Sequence, residues 1–292
     1  MIGVDWGTSS FRAFRITENG TIRDRRSGPR GILKVQDGRF ADALREEIGP
    51  WLAGGENHVL LAGMIGSRQG WVEAPYLACP AGAADLAEAL TEIGFDWAKV
   101  KLVPGLSARD DSGVPEVMRG EETQIAGVLP MIGNSGLACL PGTHSKWARI
   151  EGGRIAGFAT YMTGEAFAVL RGHTILGRTM RDGPSDPGAF EKGLARAAEP
   201  GGLLHHLFGV RALVLAGELT EAGSASYLSG LVIGHEISAA LPSGAEVHLI
   251  GDPDLCSLYA RAIAAGGGRP FIQDGEAAAR GLFLIGAHAR WN

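Results

Sequence analysis

The chain has 292 residues, enough for one large domain or two compact ones with cores of their own. Apolar residues make up 45% and charged residues 20%, which excludes a disordered chain; a net charge of −5 excludes the basic footprint of a nucleic-acid binder. Glycine is the outlier, with 45 residues and no collagen-like period, so it serves tight turns and close backbone approaches. Cys79, Cys139 and Cys256 are widely spaced and form no CxxC pair, which argues against a disulfide framework or zinc site. The chain opens directly into MIGVDWG, without the basic-then-apolar pattern of a signal peptide, and carries no uncharged apolar run of bilayer-spanning length. A cytoplasmic protein with no membrane or nucleic-acid partner is expected.

In chain order, Ile2 to Asp5 is a short apolar strand running into the turn Trp6-Gly7-Thr8-Ser9-Ser10. Phe11 to Ile16 alternates apolar and basic residues, Glu18-Asn19-Gly20 is a hairpin signal, and Thr21 to Arg26 is the return strand. Helical spacing covers Arg39 to Leu52, and His58 to Gly63 is a buried strand ending in glycine. Pro80 to Ile93 is predicted as an alanine-rich helix with proline at its start. Val100 to Gly105 is a strand. Gly120 to Leu129 is a helix with Glu121 and Glu122 in its first turn, where the helix dipole favours carboxylates. Gly136 to Leu140, Lys146 to Ile150 and Arg154 to Thr160 are strands, the last two joined by Glu151-Gly152-Gly153. Arg211 to Ala216 is predicted as a buried strand ending at Gly217, Tyr227 to Ala240 as a helix and Glu246 to Ile250 as a strand ending at Gly251. Pro253 to Ala264 and Glu276 to Ala287 are the last two helices.

The second half begins like the first. GTSSFRAFRI from Gly7 and GTHSKWARI from Gly142 share Gly-Thr-x-Ser, then Ala, Arg and Ile in order, before a glycine hairpin, 135 residues apart. A strand–turn–strand–hairpin–strand repeated at half-length spacing points to two similar α/β domains, drawn at 1–131 and 132–292, with the last helix returning to the domain interface.

A tight Gly/Thr/Ser turn between strands gathers backbone N–H groups and hydroxyls into one concavity, a nest for phosphate oxygens. The Walker GxxxxGK[ST] and Rossmann GxGxxG sequences are both absent. Two such turns would hold a polyphosphate, one for each end. Asp5, at the tip of the first strand, is placed for a magnesium ion, which prefers one or two carboxylates plus phosphate oxygens; the plainer alternative is a turn residue capping its own backbone.

DWGTS after an N-terminal strand, with a second Gly-Thr turn mid-chain, resembles the sugar-kinase/heat-shock-70/actin ATPase superfamily. GPRGI, AGMIGSRQGWVEAPY, MRGEETQIAG, LPGTHSKW and IGDPDLCSLYARA, in that order over essentially the whole chain, resemble the 2-dehydro-3-deoxygalactonokinase family. The resemblance implies two ribonuclease H-like domains with mixed sheets flanked by helices and an active-site cleft between them. It implies ATP and Mg2+ as cofactors, and phosphorylation of the 6-hydroxyl of 2-dehydro-3-deoxy-D-galactonate in galactonate catabolism.

Carried onto this chain, the resemblance makes Asp5, Gly7, Thr8 and Ser9 the first phosphate motif and Gly142, Thr143, His144, Ser145 and Lys146 the second. Lys146 has the alternative of a solvent-facing strand residue. A carboxylate at the start of the mid-chain helix accepts the proton of the attacking hydroxyl: Glu122 is favoured, Glu121 is the alternative, and Asp110 and Asp111 in the preceding loop are a third option. Plain first-turn carboxylates are the other reading of that pair. Gly66, Ser67, Arg68, Gln69 and Trp71 occupy the place of the acceptor-binding loop, with Glu73 and Tyr76 as candidates for substrate hydroxyls. The substrate carboxylate needs a cation; arginine fits it bidentately, with Arg68 first and Arg119 second. A surface arginine paired with a nearby acid is the alternative. Gly217 and Gly251 are placed near adenine and ribose, or are simply tight turns. Glycine-rich joints near Gly127 to Gly136 and Gly266 to Gly275 are expected to permit domain closure.

Two other functions stay open on the residues: a kinase for another sugar or keto-deoxy acid such as 2-keto-3-deoxygluconate, and a non-enzymatic actin-like nucleotide-binding protein. A heat-shock-70-type chaperone would need a peptide-binding domain, for which 292 residues leave no room. Nothing in the sequence decides for or against a homodimer.

Overall fold

The fold is described from a computed structural model, over residues 1–291. The first part of the chain runs β1 (Ile2–Trp6), β2 (Phe11–Ile16), β3 (Ile22–Gly28), α1 (Phe40–Ala53), β4 (His58–Ala62), β5 (Tyr76–Ala78), α2 (Ala83–Glu88), β6 (Thr91–Ile93), β7 (Lys99–Leu102), β8 (Gly105–Arg109), β9 (Pro115–Met118) and α3 (Glu121–Ile132). It continues with β10 (Ser135–Leu140), β11 (Ser145–Glu151), β12 (Arg154–Tyr161), α4 (Thr163–His173), α5 (Pro187–Ala198), α6 (Gly202–Leu215), α7 (Ser224–Ala240), β13 (Glu246–Leu249), α8 (Pro253–Ala265), β14 (Arg269–Ile272) and α9 (Ala277–His288).

Two compact units divide the chain: Met1–Gly136 with Ala148–Ala159 and the chain from Gln273 onward, and Leu137–Trp147 with Thr160–Ile272. The β11–β12 hairpin tip belongs with the first unit because Ala81 and Ile155 exchange backbone hydrogen bonds at 3.0 and 2.9 Å.

In the first unit one sheet has the order β3-β2-β1-β4-β7-β6, and β5-β8-β9 form a smaller one. β1 pairs antiparallel with β2 and parallel with β4, and β4 runs parallel with β7. Every residue of β1 is buried, as a central strand requires. The core beneath it gathers Ile2, Val4, Trp6, Phe11, Leu44, Ile48, Trp51, Val59, Leu61 and Ile65. α9 packs on α3 through two glycines: a Cβ on Gly127 would lie 2.0 Å from the Ala277 carbonyl oxygen, and one on Gly281 would lie 1.8 Å from that of Thr123. Gly127, expected at a flexible joint, is therefore a packing position inside a helix.

The second sheet has the order β12-β11-β10-β13-β14, with β13 parallel to both β10 and β14. Third strand, second, first, then two parallel neighbours: this repeats β3-β2-β1-β4-β7. The core of the second unit gathers Cys139, Trp147, Phe190, Ile233, Val247, Leu249, Tyr259 and Ile263. No helix among the described residues is long and apolar enough to cross a membrane.

Two expected elements are corrected. Arg211 to Ala216 is the end of α6 rather than a buried strand, and Leu215 is exposed; a short apolar run has no period that separates strand from helix. Pro80 to Ile93 is helical only over Ala83–Glu88, and its last residues form β6, paired antiparallel with β7. Cross-strand pairing of β-branched Thr91 and Ile93 outweighs the helix propensity of the alanines there.

Candidate active site

The first unit brings three backbone ends together. Asp5, near the end of β1, is ion-paired with Arg12, its cross-strand partner on β2. A Cβ on Gly63, just after β4, would lie 3.2 Å from Asp5 Oδ1 and 2.8 Å from the Trp6 carbonyl oxygen; one on Gly120, just before α3, would lie 3.2 Å from the Gly63 Cα. Gly63 and Gly120 have φ of +96° and +105°, which side chains rarely adopt, so glycine is required on both conformational and steric grounds. Asp5 and the N-terminus of α3 thereby share one corner of the unit.

The turn after β1 is closed by the Gly7 N–H donating to the Ser10 carbonyl at 2.9 Å, with Thr8 and Ser9 exposed. The segment 30–33 backs it. Ile32 and Leu33 donate to the Gly7 and Thr8 carbonyls at 3.0 and 3.3 Å, and Trp6 Nε1 donates to the Arg30 carbonyl at 2.9 Å. With those carbonyls engaged from behind, the exposed side of the turn is left to donors, the polarity a phosphate needs.

α3 separates its two first-turn carboxylates. Glu122, the favoured base, is 0% exposed; one oxygen accepts from the Gly120 N–H at 2.6 Å and the other from the Thr123 hydroxyl at 2.9 Å. Burial, reinforced by the neighbouring Glu121 charge and opposed by those two hydrogen bonds, pushes its carboxyl up to about 8. Both oxygens of this enclosed side chain are engaged within the unit. Glu121 is half-buried, and its carboxylate accepts the Arg119 backbone N–H at 3.0 Å. Asp110 is an exposed turn residue of the β8–β9 hairpin; the Ser112 hydroxyl, with the Val114 N–H behind it, holds its carboxyl below the usual range. Asp111 is exposed beside it.

The expected acceptor loop folds back tightly on the end of β4. Trp71 N–H donates to the Ile65 carbonyl at 2.9 Å, and its ring leans edge-on to Phe95 against the core, so Trp71 anchors the loop. Gln69 and Arg68 are exposed; the Arg68 side chain, 88% exposed, pairs with Glu73, which is the plainer reading of both residues. Ser67 Oγ is buried and has no hydrogen-bond partner. Arg119 is 8% exposed: it donates to the Ala74 carbonyl at 2.7 Å and lies over the Tyr76 ring at 4.4 Å, pinning the far end of the loop to the start of α3.

In the second unit, the turn Gly142–His144 lies against the start of α4. A Cβ on Gly164 would lie 2.4 Å from the Gly142 carbonyl oxygen, the Glu165 N–H donates to the Thr143 carbonyl at 3.0 Å, and the Glu165 carboxylate pairs with His144. Thr143 and His144 are exposed, whereas Ser145 and Lys146 are buried. Lys146 Nζ donates to the His144 carbonyl at 3.0 Å, so the solvent-facing alternative is set aside and its cation lies beside the turn. Ser145 Oγ is 2.9 Å from the buried Tyr259 hydroxyl, which removes it from the set of exposed phosphate donors. Gly251, φ +142°, places its Cα near the Pro141 carbonyl oxygen, 3.6 Å from an added Cβ, and so beside this turn. Gly217 closes α6 on the surface, donating to the Val214 carbonyl, and is a helix-end glycine rather than the end of a strand. Among the described residues no group of three or more His, Cys, Asp or Glu is placed to share a metal.

Gly31, Gly63, Gly120 and Gly164 are site residues that sequence reasoning passed over. The first three lie inside the motifs that carried the resemblance, but what a glycine approaches across the fold has no local signature.

Two sheets of ribonuclease H-like order, each with a glycine–threonine turn after its first strand, define the actin-like ATPase fold. Comparison with known proteins narrows this. The profile of 2-keto-3-deoxy-galactonokinase matches residues 5–285, and the chain belongs to that family. It is 36% identical to a probable 2-dehydro-3-deoxygalactonokinase of Rhizobium meliloti over 99% of this chain and 96% of that one. It is 34% identical to the 2-dehydro-3-deoxygalactonokinase of Escherichia coli over 91% and 90%. The crystal structure of a candidate 2-dehydro-3-deoxygalactonokinase from Sinorhizobium meliloti superposes with a TM-score of 0.88 at 35% identity, covering 98% of this chain and 97% of that one.

Proposed function

We propose that this protein transfers the γ-phosphoryl group of ATP to the 6-hydroxyl of 2-dehydro-3-deoxy-D-galactonate, a step of galactonate breakdown in the cytoplasm. The observation that carries the reading is identity of 34–36% to relatives of that name over nine-tenths or more of the chain. The first turn (Gly7, Thr8, Ser9) and the second (Gly142, Thr143, His144, with Lys146 and Gly251 beside it) are assigned to the nucleotide.

Glu121 is assigned as the base, because it stands at the same helix start as Glu122 yet keeps partial exposure. Its task is to take the hydroxyl proton as the acceptor oxygen attacks, while the rest of the site positions the reactants in line. Arg68 is assigned to the substrate carboxylate: its surface pair with Glu73 is worth little and exchanges readily for a bidentate ligand. Arg119 supports the loop from beneath.

A single carboxylate fits magnesium, which keeps most of its waters and takes its remaining oxygens from phosphates; Asp5, paired with Arg12, would hold it, and among the described residues no group of three or more His, Cys, Asp or Glu forms a protein cage. Bound there, the ion would neutralise charge on the phosphates.

The test is ADP release with Mg-ATP and a panel of 2-dehydro-3-deoxygalactonate, its gluconate epimer, simple hexoses and no acceptor. Turnover dependent on the galactonate compound is expected. Turnover with the epimer alone would change the substrate and leave the reaction class, and ATP hydrolysis indifferent to every acceptor would remove the kinase reading.

A further inference from the structure

Glu236, on α7 of the second unit, is 3% exposed. Its carboxylate accepts from Trp147 Nε1 at 2.7 Å and from the Tyr259 hydroxyl at 2.6 Å. The Ser145 hydroxyl donates in turn to the Tyr259 oxygen at 2.9 Å, and the Thr163 and Ser145 hydroxyls near the carboxylate oppose the burial that raises its pKa. A buried carboxylate is costly unless its oxygens are engaged, and here Trp147 engages one and Tyr259 the other.

The donors have a common location. Ser145 and Trp147 open β11, immediately after the turn Gly142–His144. Thr163 is the first residue of α4, and the next two residues of that helix are Gly164 and Glu165, which press on and bond to the same turn. Tyr259, on α8, links Ser145 to Glu236 from the far side. The outgoing strand of the turn is thus fastened to Glu236 through Trp147 and, by way of Tyr259, Ser145, and the first residue of α4 lies near the same carboxylate.

We propose that Glu236 is the positioning residue of the second phosphate turn, fixing β11 and α4 so that the turn is set for nucleotide before it binds; this rests on the kinase reading above. Removing one link loosens the turn, and its effect falls on nucleotide binding while the acceptor, assigned to the first unit, is spared.

The test uses the intact chain, with Mg-AMP-PNP binding by calorimetry and steady-state KM for ATP and for acceptor. Tyr259→Phe deletes a single oxygen, so it keeps the ring and the buried carboxylate. It is expected to weaken Mg-AMP-PNP binding by about tenfold, the scale of one hydrogen bond to a charged group, with acceptor KM at saturating ATP held within about twofold. Glu236→Gln should weaken binding at least as much, and the double variant should be no weaker than the poorer single, because both act through one link. Tyr259→Phe that folds cooperatively and binds as the wild type does would overturn the proposal, as would equal rises in both KM values. A wild-type protein that binds no nucleotide would overturn the kinase reading together with it; wild-type binding with an unaffected variant removes the positioning role alone.

Discussion

Gly31 lies so close to Thr8 that a Cβ on it would sit 2.2 Å from the Thr8 carbonyl oxygen. The contact is backbone on backbone, and the Gly31 torsions (φ −68°, ψ 172°) are ones that alanine adopts freely, so space alone demands glycine there. Gly31→Ala must displace the turn Gly7–Ser9, assigned above to the nucleotide. A rise in the KM for ATP of about tenfold or more is expected, with modest change in melting temperature. An unchanged KM would detach this turn from the nucleotide.

The two adjacent glutamates should separate cleanly. Glu121→Gln is expected to lower kcat by about a hundredfold or more, the usual worth of a positioned general base. Glu122→Gln should leave kcat within a few-fold, since the amide can accept from the Gly120 N–H and donate to the Thr123 hydroxyl in place. The opposite ranking would return the base to Glu122.

Glu122 also sets a pH dependence of stability. Its carboxyl is raised to about 8 in the folded chain from an ordinary value of 4.5. Between those values the folded state holds a proton that the unfolded state has released, so stability falls as pH rises through this window and levels off above about 8. The loss is on the order of a few kcal/mol. Denaturant titrations of Glu122→Gln should show a flatter profile and greater stability than the parent at pH 8.

Helical glycines should respond with opposite signs. Gly172 in α4 has open space where a Cβ would go, and Gly172→Ala should stabilise by up to about 1 kcal/mol. Gly127→Ala drives a methyl to 2.0 Å from the Ala277 carbonyl and should destabilise by about 1–3 kcal/mol, read as a lower melting temperature. Equal gains would show that α3 and α9 do not pack this closely.

For the acceptor loop, Arg68→Met is expected to raise acceptor KM by about tenfold with kcat nearly kept, the mark of an interaction made equally with ground and transition states. An unchanged KM would leave the Arg68–Glu73 pair as surface decoration.

Local patterns were legible in the chain itself. The alternation in Phe11–Ile16, the glycine hairpins and the Gly-Thr turns at Gly7 and Gly142 disclosed the repeated sheet, because each signal spans a few residues and is read without partners. The sequence favoured Glu122 over Glu121 without showing which of them is enclosed, since helix phase toward the core, not composition, buried one and left the other partly exposed. Arg211–Ala216 misled because a six-residue apolar run fits strand and helix alike. Gly31, Gly164 and Glu236 act through contacts 20 to 90 residues away in sequence, or with backbone alone, and such contacts exist only once the chain has folded.

The central claim is phosphoryl transfer to a keto-deoxy sugar acid, and the most direct measurement is phosphorus NMR of the product formed from Mg-ATP and 2-dehydro-3-deoxygalactonate. The account predicts a phosphomonoester signal coupled to the two protons on carbon 6, growing in step with ADP. Inorganic phosphate and ADP as the only new signals, with no phosphomonoester, would contradict it.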